Sequence, residues 1–220
     1  MQHLWDSVDS YLEGLFVEAD PLLDWVVKEQ ESKGLPAIQV SALEGKLLQI
    51  VASAMKAKHV LEIGTLGGYS AILLARALPS DGKVITLEVD PKHAGVANEA
   101  FSRAGLADKI ELRLGAALET LPELKSEGYV FDFIFIDADK ESNAHYVKHA
   151  LDMSHPGTLI VVDNVIRDGD VINHDSNSPM SQGVQRMNEY VKSEPRLSVT
   201  AIQTVGSKGY DGMSFMLVKG

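Results

Sequence analysis

The chain has 220 residues, 45% hydrophobic and 23% charged, with no cysteine and a formal net charge of −11, a length and balance that suit one globular domain with a full core. The lack of cysteine excludes disulfides, thiolate metal sites and cysteine nucleophiles, and fits a cytoplasmic protein. The negative charge forfeits the counterion-release term behind tight non-specific nucleic-acid binding; no apolar run reaches the ~20 residues of a membrane span, and no basic-then-apolar leader opens the chain.

Met1 to Glu31 reads as helical, with apolar positions at Leu4, Val8, Leu12, Leu15 and Phe16. Asp20 and Pro21 restart the helix as N-cap and first residue, followed by Leu22, Leu23, Trp25 and Val26. This N-terminal segment, residues 1–37, is read as packing or as a dimer contact, ahead of a core over 38–220. Ser41-Ala42-Leu43-Glu44 is a capping box that opens the next helix. From His59 short apolar runs alternate with helical patterns. Strands are predicted at His59–Ile63, Lys83–Glu88, Ile110–Leu114, Phe131–Ile136 and Thr158–Val162. Helices are predicted at Ser70–Leu78, Lys92–Ala104, Ala117–Leu124 and Asn143–Met153. Such alternation implies an α/β fold whose parallel sheet is covered on both faces. After a helix near Met180–Ser193, Leu197–Ile202 and Ser214–Val218 follow each other with no helix between, which predicts a hairpin and one antiparallel strand.

The first strand runs into a glycine-rich turn, Glu62-Ile63-Gly64-Thr65-Leu66-Gly67-Gly68-Tyr69-Ser70. Strand, glycine loop and helix are how an open α/β sheet grips a nucleotide-like ligand. Leu66 stands where a dinucleotide fingerprint needs its second glycine. A carboxylate ahead of the first glycine repels a pyrophosphate and suits a cation, such as the sulfonium and ammonium of S-adenosylmethionine. The ends of the other strands carry the remaining candidates. Glu88 closes the second strand, where an acid commonly accepts from ribose hydroxyls. Gly115-Ala116-Ala117 offers small residues for an adenine ring. Asp137, Asp163 and Asn164 form an all-oxygen set suited to a hard cation, although Asp and Asn at strand ends also cap turns. Lys140 is a base candidate, because a neighbouring dication disfavours its ammonium form. His145 and His149, at i, i+4 spacing without a third ligand, read as helix-surface residues.

Together these residues resemble the cation-dependent O-methyltransferases, the family of catechol O-methyltransferase and the plant caffeoyl-CoA O-methyltransferases. The likeness rests on Val60-Leu61-Glu62-Ile63-Gly64, Gly67-Gly68-Tyr69-Ser70, Ile136-Asp137-Ala138-Asp139-Lys140 and Val162-Asp163-Asn164, and spans about Ile38 to the end. It implies a Rossmann-like class I methyltransferase fold: a seven-stranded, mostly parallel sheet with one antiparallel strand and helices on both faces. It implies Asp137, Asp163 and Asn164 as ligands of Mg²⁺ or another divalent cation such as Mn²⁺ or Ca²⁺. It gives Lys140 and Asp137 the catalytic roles, Lys140 deprotonating the substrate hydroxyl. S-adenosylmethionine is expected against Val40, Ser41, Glu62, Gly64 and Ser70, with Glu88 at the ribose, Ala117 at the adenine, and Asp137 and Tyr146 at the methionine amine. The segment Val165–Asp175 carries Arg167, Asp168 and Asp170 instead of the plant enzymes' aromatic-and-arginine pattern, so a CoA thioester is not the implied substrate.

The resulting expectation is an S-adenosylmethionine- and metal-dependent O-methyltransferase of vicinal dihydroxy aromatics, working as a homodimer and away from membranes. A methyltransferase of hydroxylated uridine in transfer RNA is the alternative substrate reading, against which the acidic charge counts. A cofactor-binding dimer without turnover is the non-enzymatic alternative.

Overall fold

The computed structural model describes residues 1–220. Two helices, α1 (Gln2–Phe16) and α2 (Pro21–Ser32), precede α3 (Ala42–Ala54). Then follow β1 (His59–Ile63), α4 (Tyr69–Ala77), β2 (Lys83–Glu88), α5 (Pro91–Arg103), β3 (Ile110–Leu114), α6 (Ala117–Ser126) and β4 (Phe131–Ile136). The chain ends with α7 (Asn143–Asp152), β5 (Ser154–Asp163), α8 (Pro179–Ser193), β6 (Leu197–Gly206) and β7 (Gly209–Val218). The capping signals act as read. Asp20 accepts from the Leu22 and Leu23 N–H groups at 3.0 and 3.2 Å, and Ser41 and Glu44 exchange both bonds of the box.

The seven strands form one sheet in the order β3-β2-β1-β4-β5-β7-β6. Only β7 runs antiparallel to its neighbours, β5 and β6. Successive side chains along β4 go to opposite faces, so Phe133 and Phe135 join one core with helices α2 to α5, and Ile134 and Ile136 join the other with α6 to α8. Both faces are therefore apolar, which is why the strands read as continuous hydrophobic runs. The order reverses at β1, flanked by β2 and β4, and such a switch point opens a crevice beyond the carboxyl ends of the strands.

Three strand boundaries lie well away from the expected ones. β5 starts at Ser154, not Thr158, because a register shift opposite Phe131 and Phe133 takes up the residues around Pro156. β6 and β7 run to Gly206 and Gly209, so the turn is only Ser207-Lys208 and the glycines around it belong to the ladder. Gly212 sits inside β7 because a Cβ there would meet the Ile202 carbonyl oxygen at 2.2 Å. No helix is long and apolar enough to cross a membrane.

Candidate active site

The crevice is shaped first by glycine. Gly64, one residue past β1, has φ +101°, and a Cβ on it would lie 2.2 Å from the Asp137 carbonyl oxygen. Only glycine lets the tips of β1 and β4 close to this distance. Leu66 also takes a left-handed φ of +50°, a conformation rare for an L side chain. Its N–H is pinned by Glu88 Oε2 at 2.8 Å. The loop thus adopts a glycine-like turn at the position where glycine is missing from the sequence.

A cavity of about 650 Å³ opens above this loop and is lined by Val40, Gly64, Ser70, Glu88, Ala117, Asp137, Lys140, Tyr146 and Asn164 among others, within the usual size range for a small-molecule site. Ser41 and Asp163 line an adjoining cavity of about 490 Å³ that shares Val40 and Asn164 with the first. Glu62 lines neither and lies fully buried beneath. The sequence-derived residues thus converge on one sheet edge, divided between two joined chambers and a buried floor.

The electrostatics of this edge are acidic and only partly compensated. Ile136 pairs with Val162, so Asp137 and Asp163 follow on neighbouring strand tips. Burial pushes the Asp163 carboxyl well above its ordinary pKa, and the carboxylates of Asp137 and Glu44 push it further. Asn164, left-handed at φ +57°, turns the chain here and donates its N–H to Asp163 Oδ1 at 2.7 Å. Lys140 is buried, with Nζ 2.6 Å from Asp137 Oδ1. The Glu62 carboxyl is pushed up to about 7 by burial, helped by Asp137 and Glu88, against the pull of nearby Ser70 and Thr86 hydroxyls. Thr86 donates to Glu62 Oε2 at 2.6 Å, so in its contact with Thr65 the latter is the donor. Glu62 Oε1 has no partner.

Glu88 is nearly saturated. Oε1 accepts from the Val89 and Asp90 N–H groups at 2.9 Å each, and Oε2 from Leu66 alone, which leaves one lone pair on Oε2. The Tyr146 hydroxyl is committed to Asp139; burial and that carboxylate hold the phenol well above its ordinary pKa. Tyr146 therefore faces the cavity as a neutral ring. No three His, Cys, Asp or Glu side chains gather anywhere into a ligand set. A metal at this edge has a mixed set at its disposal, two carboxylates and the Asn164 amide oxygen, whose hard oxygens fit Mg²⁺, Mn²⁺ or Ca²⁺.

Several lining residues escaped the sequence reading, including Gln30, Gln39, His93 and Met180. The N-terminal segment was expected only to pack or to dimerise, yet α2 reaches the cavity through Gln30. A signal existed: Leu23, Val26 and Gln30 share the buried stripe of α2, and a polar residue on an apolar stripe needs a partner. Arg167 and Asp168 both have φ +55°, and Asp211 accepts from the Ile166 and Arg167 N–H groups at 2.9 and 3.0 Å. Only the folded hairpin supplies that acceptor.

Comparison with known proteins identifies the family and the fold. A family model described as O-methyltransferase matches residues 15–217. A catechol O-methyltransferase of Niastella koreensis is 47% identical over 217 residues, 98% of each chain. One of Mycobacterium tuberculosis is 46% identical over 97% of this chain and 96% of its own. An O-methyltransferase from Bacillus cereus, solved in complex with SAH, superposes with a TM-score of 0.98 at 48% identity, covering 100% of both chains.

Proposed function

The chain belongs to the O-methyltransferase family, and from that premise we propose that it moves the methyl group of S-adenosylmethionine to one hydroxyl of a small vicinal dihydroxy aromatic, with a divalent cation held by Asp137, Asp163 and Asn164. One observation carries the reading. Asp137 and Lys140 line the larger cavity, Asp163 on the adjacent strand tip lines the adjoining one, and the carboxyl of Glu62, with Oε1 unpaired, lies buried beneath them.

The residues present fit both groups. The buried carboxyl of Glu62 favours a cation in the cavity above it, the lone pair on Glu88 Oε2 suits a ribose hydroxyl, and Ala116 and Ala117 leave room for a flat base. Asp137 and Asp163 repel each other, and Lys140 beside Asp137 offsets this only in part. A divalent cation at these oxygens, when bound, lowers the pKa of a hydroxyl brought to it, and S-adenosylmethionine supplies an electrophilic methyl. The protein does the rest. With a dication beside it the Lys140 ammonium would be disfavoured and would release its proton to solvent; the amine would then accept the hydroxyl proton at Nζ, and Asp137 would hold the ammonium so formed. The cavity walls orient acceptor oxygen, methyl and sulfur in line, which is where much of the acceleration arises. The second chamber, bounded by Glu44, Asp163 and Tyr210, is the place we give to the acceptor.

We place the protein in the cytoplasm, where a cysteine-free chain loses nothing to a reducing environment. We also assign it a homodimer through α1. Leu4, Val8, Tyr11 and Leu15 lie along one face of that helix and are 64, 46, 66 and 56% exposed, an apolar strip that a second copy would cover. Sedimentation tests this: a monomer at micromolar concentration removes the dimer.

The function is tested by methyl transfer from labelled S-adenosylmethionine to a panel of catechols, caffeoyl compounds and transfer RNA, with and without a chelator. Turnover of catechols that stops with the chelator is the expected result. Full activity in excess chelator refutes the metal role, and transfer to RNA that falls steeply with salt moves the substrate to nucleic acid.

A further inference from the structure

We infer that Gln30 of α2 binds the cofactor, its side-chain NH₂ donating to the carboxylate at the amino-acid end of S-adenosylmethionine; the inference rests on the reading of the cavity as the cofactor site. Gln30 is only 2% exposed and stands in the cavity wall. Its Oε1 accepts the Gly67 N–H at 3.1 Å. Only the oxygen of an amide can accept, so this bond settles which way the group points. The NH₂ on the other side has no partner, although it is sealed from solvent. An unmade bond at a buried amide is costly, because water satisfied the group before folding. Because Gln30 stands in the cavity wall, an occupant seated against that wall is the partner assigned to it.

The surroundings identify the charge of that occupant. Gly67 leads directly into α4, whose N-cap, Gly68, carries no side chain to cap the first turn. Tyr69 and Ser70, which open α4, line the same cavity. The free N–H groups and positive dipole end of a helix start favour an anion, and the unpaired Gln30 donor stands beside them. The fully buried Glu62, with its lone Oε1, favours a cation. An anion subsite next to a cation subsite matches an α-amino acid, which presents carboxylate and ammonium on one carbon, and does not match a phosphate. The fit around Gln30 is also tight: a Cβ on Gly67 would stand 2.3 Å from Gln30 Oε1, so that loop position admits only glycine while Gln30 is in place.

Calorimetric binding of two probes tests this without relying on turnover. S-adenosylhomocysteine carries the amino-acid group, and 5′-methylthioadenosine keeps adenosine and sulfur but lacks it. Gln30→Met removes the donor, and Gln30→Glu keeps an acceptor for Gly67 while setting carboxylate against carboxylate. S-adenosylhomocysteine is expected to weaken about tenfold in Gln30→Met and about a hundredfold in Gln30→Glu. Methylthioadenosine should bind all three proteins within about twofold, which also reports that each variant is folded. Equal losses for both probes, or unchanged S-adenosylhomocysteine binding in Gln30→Glu, overturn the assignment and leave Gln30 as a loop anchor. Failure of the unmodified protein to bind S-adenosylhomocysteine overturns the cofactor reading itself, and this one with it.

Discussion

At the amino ends of β1, β4 and β5, Asp132 accepts from the Lys58 and His59 N–H groups at 2.7 and 2.8 Å and from His155 Nε2 at 2.9 Å. At the carboxyl ends of the same three strands, Glu62, Asp137 and Asp163 crowd together, and one Glu62 oxygen has no partner. The chemical groups are alike and the outcomes opposite. Burial pushes the Asp132 carboxyl up, but the His59 N–H, His155 and the Lys58 N–H outweigh it and bring it below its ordinary range. At the other edge burial and like charge win. One edge satisfies its charges and so stabilises the sheet; the other withholds satisfaction and so is left ready for ligands. Local composition does not distinguish them, since both are carboxylates beside apolar strands.

Substitutions should separate the edges. Lys140→Ala is expected to lower turnover by about 10²–10⁴-fold, with the S-adenosylhomocysteine dissociation constant nearly unchanged. A matching loss of cofactor affinity would show that Lys140 supports the cavity and not the chemistry. Gly64→Ala drives a Cβ against the Asp137 carbonyl and should cost roughly 2 kcal/mol or more, about 5 °C in melting temperature. An unchanged melting curve would mean that the two strand tips can separate freely.

Asp132→Ala at the opposite edge should lower the melting temperature by about 3–6 °C and leave the specific activity of the folded protein unchanged. Asp163→Asn should do the reverse: activity falls to that of the chelated protein, while the metal-free melting temperature rises by about 2–4 °C as a buried repulsion disappears. A drop in that melting temperature would contradict the electrostatic contrast between the edges.

The smallest effect concerns pH. His155 is raised above its ordinary pKa by the Pro156 carbonyl and then by the Asp132 carboxylate, and both ring nitrogens face acceptors, at 2.8 and 2.9 Å. Only the doubly protonated ring donates to both. Its contribution is therefore complete below the unfolded-state value near 6.5 and disappears as pH rises through the folded-state value. The melting temperature of the natural protein minus that of His155→Gln should shrink between pH 6 and 8, by less than ~2 °C because the pair is half exposed. A difference that grows with pH would reverse the assignment.

Much of this was legible beforehand, and where it was not the reasons are specific. The strands His59–Ile63 and Phe131–Ile136 appear at their predicted bounds, because a doubly buried strand is a short apolar run with polar ends. The β5 start was misplaced since a bulge depends on the partner strand. Asp137, Lys140, Asp163 and Asn164 share one sheet edge as expected, because strand ends can be read from hydropathy; the metal and catalytic roles given to them belong to the proposal. Gln30 was not placed there, because it reaches the cavity from a helix whose docking no local pattern encodes.

Periodicity, capping residues and the order of strand-end carboxylates thus carried the fold class, the sheet edge in use and the family likeness, since each depends on neighbours a few residues away. Which carboxylates are satisfied and which are buried without full partners, how the cavity divides into two chambers, and that α2 brings an amide to its wall depended on contacts 30 to 100 residues apart, such as Gln30 with Gly67 and Gly64 with Asp137. Charge and hydrogen bonding are decided by what lies within a few ångströms, and only the packed chain sets those distances.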